Sequence, residues 1–227
     1  MDSYASTRER LEHYFDRTAA KTWERLTSDA PVSRIRQTVR EGRDTMRAAM
    51  LSRLPDDLSG ARVLDAGCGA GPMSVALAER GAEVVGVDIS PQLLEVARKR
   101  TPEAVAGRIT YTAGDMLDAG HGRFDYVMAM DSLIHYRAPD IGRALARLVP
   151  RTDRAIIFTI APRTPFLSAM WLAGKAFPRS DRSPQIIPHS DEAIEAALQA
   201  EGVEGMLHRV IRVSRGFYIS QAMELRP

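Results

Sequence analysis

The chain has 227 residues, 44% of them hydrophobic, which suits one α/β domain with additions and leaves too much apolar surface for global disorder. A formal net charge of +2 argues against nucleic-acid binding by bulk electrostatics, so no nucleic-acid partner is expected. The single cysteine, Cys68, excludes an intramolecular disulfide and fits a reducing, cytoplasmic compartment; it reads as a small loop residue rather than a thiol nucleophile.

In chain order, Met1-Asp2-Ser3-Tyr4 lacks the basic-then-apolar order of a signal peptide, and no apolar run reaches the roughly 18 residues of a membrane span. Residues 1–55 have a mostly helical pattern. A first polar-rich stretch contains Tyr14, Phe15 and Trp23 and is broken at Pro31. A second helix is expected over 32–51, where Ile35, Val39, Met46, Met50 and Leu51 follow helical spacing, before Pro55 and Gly60 close it. Its arginines (Arg34, Arg36, Arg40, Arg43 and Arg47) read as a solvated face, or as cations of which one or two meet an acidic substrate or a cofactor carboxylate.

Val63 and Leu64 then end a buried strand, 61–66, that runs into Asp65-Ala66-Gly67-Cys68-Gly69-Ala70-Gly71 and a helix over 72–80. Three residues without Cβ in a short turn let backbone N–H groups approach and point at a ligand, with the positive end of the helix behind them. A dinucleotide fingerprint would need its third glycine at position 72, which is Pro72. The spacing found, Asp65-x-Gly67-x-Gly69-x-Gly71, resembles motif I of the class I S-adenosylmethionine (SAM) methyltransferases. Strand two, 83–87, ends at Asp88, placed to accept hydrogen bonds from both ribose hydroxyls, while Ser90 and Pro91 supply the cap and first turn of a helix over 92–100. The alternative role for Asp88 is itself a helix cap.

Strand three spans 108–112 and leads to Asp115 and Met116. By the methyltransferase resemblance these touch the adenine amino group and pack on its ring; otherwise Asp115 is a turn residue. Strand four, 124–130, continues as Asp131-Ser132-Leu133-Ile134-His135-Tyr136 at the carboxyl end of the sheet, where ligands of open α/β folds sit. His135 either contacts the methyl acceptor or packs under the helix that follows, 141–148. Strand five, 154–160, precedes an insert, 161–189, in which Phe166, Leu167, Met170, Trp171, Leu172 and Phe177 stand among basic residues and five prolines. It suits a flat, hydrophobic, anionic ligand or an acidic membrane surface, or is an ordinary cap on the core. Ser190 caps a last helix, 191–200, and strands over 206–213 and 217–225 form a terminal hairpin. The expected fold is therefore α/β and Rossmann-like: a seven-stranded, mostly parallel sheet with strand seven antiparallel between strands five and six. The expected organisation is an N-terminal helical extension over 1–55, by resemblance a lid, and a methyltransferase domain over 56–227 whose insert, 161–189, binds the acceptor.

Beyond motif I, several segments resemble the magnesium-protoporphyrin IX O-methyltransferases: Tyr14-Phe15-Asp16, Trp23-Glu24-Arg25, Val39-Arg40-Glu41-Gly42-Arg43, Asp131 to Tyr136 and Gly216-Phe217-Tyr218-Ile219-Ser220. The resemblance spans nearly the whole chain. It implies methyl transfer from SAM to one propionate carboxylate of Mg-protoporphyrin IX in (bacterio)chlorophyll biosynthesis, with S-adenosylhomocysteine (SAH) as product and magnesium only as part of the substrate. The implied cofactor set is Asp65, Gly67, Cys68, Gly69, Gly71, Asp88, Ile89, Asp115, Met116 and Met130. His135 is expected to orient the propionate by a hydrogen bond, with axial ligation of the porphyrin magnesium as the second possibility. Relatives tend to carry an Ile-Tyr-Gly-like run after the tryptophan motif, but here it is Leu26-Thr27-Ser28, so that tyrosine does not carry over and Tyr14 becomes the fallback catalytic candidate. The large subunit of magnesium chelatase is an implied partner, and peripheral attachment to the photosynthetic membrane is an expectation from the insert. The competing readings are a SAM-dependent O-methyltransferase for another small carboxylate or hydroxyl, and a non-catalytic SAM-binding partner protein.

Overall fold

The computed structural model describes residues 3–15, 34–165, 167 and 185–227. Helices α1 (Ser3–Tyr14) and α2 (Arg34–Leu51) precede the sheet. Strands β1 (Arg62–Ala66), β2 (Glu83–Asp88) and β3 (Ile109–Ala113) alternate with α3 (Pro72–Glu79), α4 (Pro91–Arg100) and the short α5 (Glu103–Ala106). Strand β4 (Phe124–Ala129), helix α6 (Ala138–Leu148) and strand β5 (Thr152–Pro162) follow, then helix α7 (Asp191–Ala200) and the hairpin of β6 (Met206–Arg215) and β7 (Tyr218–Arg226).

The sheet order is β3-β2-β1-β4-β5-β7-β6, and a two-residue strand, Pro188–His189, pairs with β5 off this path. Strands β1 to β5 are parallel, whereas β7 is antiparallel to both β5 and β6, with Ile156 opposite Leu225. Strands covered on both faces need apolar residues at every position rather than alternate ones. Val63 and Leu64 of β1 and Ile156, Ile157 and Phe158 of β5 meet that need and are fully buried. One face packs under α6 and α7 through Ile141, Leu145 and Ile194; the other packs under α2 and α3 through Met46, Met50 and Leu77. Gly142 permits the α6–α7 crossing, because a Cβ there would stand 2.6 Å from the Ala197 carbonyl oxygen.

The expected architecture is present, with small shifts at element ends. Helix α6 starts at Ala138 rather than 141, with Pro139 in its first turn, where a missing N–H costs nothing. Strand β5 is longer than the 154–160 expected. Residues 16–33, with Trp23, and most of the insert, with Met170, Trp171, Leu172 and Phe177, lie outside the described residues. Among the described residues no helix is long and apolar enough to cross a membrane. The strand order reverses between β1 and β4, which opens a crevice at their carboxyl ends.

Candidate active site

A solvent-open cleft of about 820 Å³ lies at that reversal point. One wall is the glycine turn. Gly67, Gly69 and Gly71 all have positive φ (80°, 55° and 84°), which L side chains adopt only with strain. Gly67 also makes a close approach: a Cβ there would meet Ser132 Cβ at 2.5 Å, whereas a Cβ on Gly69 would meet nothing within 4 Å. The expected array of N–H groups aimed at a ligand is not formed. The Gly67 and Cys68 N–H groups donate to the Val87 carbonyl (2.8 and 3.0 Å), and that of Gly71 donates to the Cys68 carbonyl. The Gly69 N–H donates to Asp88 Oδ2 at 2.8 Å. The turn is tied to the end of β2, and it offers the cleft a surface free of Cβ atoms at Gly67 and Gly69; Gly71 is off the cleft wall, packed against Tyr111. Cys68 is buried, and burial raises its thiol pKa, as suits a packing residue and not a nucleophile.

Asp88 lines the cleft, and its Oδ1 accepts from the Ser90 N–H at 2.9 Å. The cap of α4 is Ser90 itself, whose Oγ accepts from the Leu93 N–H. Ile89, Met116 and Met130 also line the cleft. Asp65 does not. It is 1% exposed beneath the turn, where its Oδ2 accepts from Ser74 Oγ at 2.6 Å. Burial, opposed by the Ser74 hydrogen bond and reinforced by Asp88, pushes its carboxyl up to about 7.

Asp115 is likewise off the cleft wall and is held by the N-terminal helix. Tyr4 Oη donates to its Oδ1 and Arg8 Nη1 pairs with its Oδ2, each at 2.8 Å. The Tyr4 ring stacks on Tyr136 with centroids 4.8 Å apart, and Ser3 Oγ donates to buried Asp140. Burial first, then Tyr136 and Asp115, pushes the Tyr4 hydroxyl above its ordinary range, so it stays a donor. Tyr4, Leu11 and Phe15 of this N-terminal segment line the cleft. Tyr14 is not on the wall; its ring sits edge-on to Phe15.

The opposite wall is Asp131 to Tyr136. His135 Nδ1 lies 3.2 Å from the Gln185 carbonyl oxygen. A carbonyl only accepts, so Nδ1 carries the proton, and Nε2 of the neutral ring keeps its lone pair. Burial lowers the His135 pKa and favours that neutral ring, against the Gln185 bond and Asp131, which act the other way. Gln185 is fixed by its neighbours: the Ile187 N–H donates to the Ile134 carbonyl, and His189 Nε2 donates to that of Tyr136. Asp131, Ser132 and Arg43 share this part of the cleft; of the five arginines in the helix expected over 32–51, Arg43 is the one on its wall among the described residues. Asp131 has φ 55°, a left-handed conformation that costs a non-glycine residue on the order of 1 kcal/mol. Ser132 Oγ is buried with no hydrogen-bond partner among the described residues.

A parallel sheet closed by an antiparallel hairpin, with a glycine turn and an acidic β2 end at its reversal point, belongs to the class I SAM-dependent methyltransferases. Residues 63–152 match the family described as "Methyltransferase domain", and residues 129–227 match "Magnesium-protoporphyrin IX methyltransferase C-terminus". The chain is 59% identical over 225 residues to the magnesium-protoporphyrin O-methyltransferase of Rhodobacter capsulatus, covering 99% of this chain and 98% of the relative. The Synechocystis protein of the same description is 30% identical, with 94% of each chain covered. A crystal structure of the magnesium protoporphyrin IX methyltransferase from Synechocystis PCC 6803 with bound SAH is similar at a TM-score of 0.80 and 29% identity, covering 96% of this chain and 98% of that one. The chain belongs to the magnesium-protoporphyrin O-methyltransferase family.

Proposed function

We propose that the protein transfers the methyl group of SAM to a propionate carboxylate of Mg-protoporphyrin IX, giving the monomethyl ester and SAH, in (bacterio)chlorophyll biosynthesis. The observation that carries this reading is the 59% identity to a magnesium-protoporphyrin O-methyltransferase over nearly the whole chain. The cleft fits the cofactor on its own terms: a wall without Cβ atoms at Gly69, a carboxylate at Asp88 and, at Ser132, a buried hydroxyl with no hydrogen-bond partner among the described residues. When bound, SAM supplies an electrophilic methyl on a sulfonium.

In this proposal Asp88 takes the ribose hydroxyls, and Gly67, Cys68, Gly69, Ile89, Met116 and Met130 shape the cofactor wall, with Gly71 off it against Tyr111. Asp65 acts beneath them through Ser74. Asp115 takes the adenine amino group at the end of the cleft that Tyr4 and Arg8 close. The acceptor carboxylate has an ordinary pKa near 4 and is ionised at neutral pH, so no strong general base is needed. The protein's work is alignment and exclusion of water, and alignment is worth up to roughly 7–11 kcal/mol when it is ideal.

The two roles for His135 separate on its tautomer. A carboxylate offers only lone pairs, and so does Nε2 of the neutral ring, so a hydrogen bond to propionate would require the imidazolium that burial disfavours. A magnesium ion accepts that lone pair. The geometry supports axial ligation of the substrate's magnesium by His135, with Tyr14 a fallback catalytic residue. Residues 1–55 serve as the lid of a methyltransferase domain over 56–227, and 161–189 as the acceptor-binding insert. The cytoplasmic location, peripheral attachment to the photosynthetic membrane and contact with the chelatase large subunit belong to the same proposal; co-sedimentation with anionic vesicles at low salt tests the attachment.

The decisive experiment mixes the protein with Mg-protoporphyrin IX and methyl-labelled SAM and follows label into organic-extractable pigment. Label on the porphyrin is expected. Its absence while SAH still binds would overturn the acceptor and leave another small carboxylate or hydroxyl in its place.

A further inference from the structure

We propose that Asp131 and Tyr218 are positioning residues that aim the Arg43 guanidinium across the cleft at a carboxylate, that of the cofactor's methionyl group or that of the acceptor. Three elements converge on Asp131. From β5, Thr159 Oγ1 accepts the Asp131 N–H at 2.7 Å. From β7, Tyr218 Oη donates to both carboxylate oxygens, at 3.1 and 3.3 Å. From α2, Arg43 Nε pairs with Oδ2 at 3.3 Å. Asp131 is the one non-glycine residue with positive φ among those described, and residues held in such conformations are over-determined by their surroundings and cluster at functional sites. Both Asp131 and Arg43 line the cleft.

Tyr218 is seated so that its hydroxyl reaches this point. A Cβ on Gly42 would come within 2.6 Å of the Tyr218 ring, and one on Gly216 within 2.6 Å of Thr38 Oγ1. Two glycines, one on α2 and one at the tip of the β6–β7 hairpin, thus let the hairpin lie directly on α2 beside Arg43. Burial, with Asp131 next to it, keeps the hydroxyl protonated and therefore a donor. Asp131 engages Arg43 through Nε, and a guanidinium is a rigid fork of five N–H donors suited to planar carboxylates. Fixing one edge of the fork fixes the direction of the other. The chain Tyr218–Asp131–Arg43 thereby joins the C-terminal hairpin to the N-terminal extension across the site.

This inference rests on the cofactor reading above, and its test does not depend on the acceptor's identity. SAH and 5′-methylthioadenosine share the nucleoside and the thioether, but only SAH carries the amino-acid head. Two variants are made. Tyr218→Phe keeps the ring on Gly42 and removes the hydroxyl. Asp131→Asn keeps an acceptor for Tyr218 and a residue that tolerates left-handed backbone, and removes the charge. Calorimetry is expected to show SAH affinity falling about 10-fold in both, the effect of one lost charge-assisted hydrogen bond, with methylthioadenosine affinity unchanged. Unchanged SAH affinity with a KM for Mg-protoporphyrin raised by a similar factor also supports the proposal and assigns the carboxylate to the acceptor. Equal losses for SAH and methylthioadenosine, or no change in either ligand or in KM, would overturn it.

Discussion

The two walls of the cleft are assembled in different ways. The wall of Gly67, Gly69, Asp88, Ile89 and Met116 comes from the ends of three strands that follow one another in the chain, and its contacts join segments no more than 19 positions apart: Gly69 to Asp88, Asp88 to Ser90, Asp65 to Ser74. The other wall joins distant segments. Tyr4 meets Asp115 across 111 positions, Tyr218 meets Asp131 across 87, and Ser3 meets Asp140 across 137. A local wall is fixed by its own turn geometry and suits a ligand common to many acceptors. A wall drawn from both chain ends exists only when the whole fold is closed, so it can vary with the acceptor and can open without unfolding the sheet.

The largest effect expected on that contrast is at His135. His135→Ala should lower kcat by about 100-fold, the scale of a misplaced reacting group, while SAH affinity stays unchanged, because the His135 ring is held by the Gln185 carbonyl and not by a residue of the cofactor wall. His135→Asn sharpens the test. If Nε2 ligates magnesium, the Asn variant loses affinity for Mg-protoporphyrin but binds metal-free protoporphyrin as the parent does; spectral titration reads both. Normal Mg-porphyrin affinity in the Asn variant would return the hydrogen-bond role.

Next comes the local wall itself. Gly67→Ala should cost on the order of 2–3 kcal/mol in denaturant unfolding, because its φ is positive and its Cβ would collide with Ser132. Gly69→Ala should cost only about 1 kcal/mol, the backbone term alone, since nothing stands within 4 Å. Its methyl group would instead enter the cleft and weaken SAH. Equal stability losses in the two variants would mean that the Gly67–Ser132 approach is not what fixes the turn. Of similar size but confined to the N-terminal helix is Tyr4→Phe, which removes one hydrogen bond to Asp115 and should cost about 1 kcal/mol locally. Limited proteolysis within α1 should speed up while the melting temperature of the sheet barely moves.

The same division explains what the sequence made legible. The hairpin, the glycine turn and the Ser90 cap follow from spacing over a few residues, the strand order follows from the resemblance to methyltransferases, and all are present. The direction of the turn's N–H groups is not a local property: it depends on where the Val87 carbonyl and Asp88 come to lie beside the turn. Asp65 and Asp115 were legible as acidic residues in the right order, but not that one is buried under the turn and the other is held by Tyr4 and Arg8. Tyr218 is legible as part of the Gly216 to Ser220 segment of the family, but its contact with Asp131 is not. The available signals were Gly42 and Gly216, small residues in a helix and a hairpin tip where larger ones would do unless something packs close. Nothing local marks Asp131 as left-handed beyond the tolerance of aspartate for that conformation.

The last effect expected is on pH dependence, and it concerns the floor beneath the glycine turn. The Asp65 carboxyl is raised in the folded protein, to about 7, above its unfolded value near 4. The folded state therefore holds this proton more tightly than the unfolded state between those values. Its contribution to stability is fully present below about pH 4 and is lost as pH rises through 7. Asp65→Asn keeps the shape and a partner for Ser74 without a charge to bury. It should unfold with a flatter stability profile between pH 4 and 8 than the parent, and the gap should favour the variant more as pH rises. A parallel pair of profiles for Asp65→Asn and parent would show that Ser74 and the surrounding turn hold the Asp65 carboxylate ionised, and that the wall beneath the glycines is charged at neutral pH.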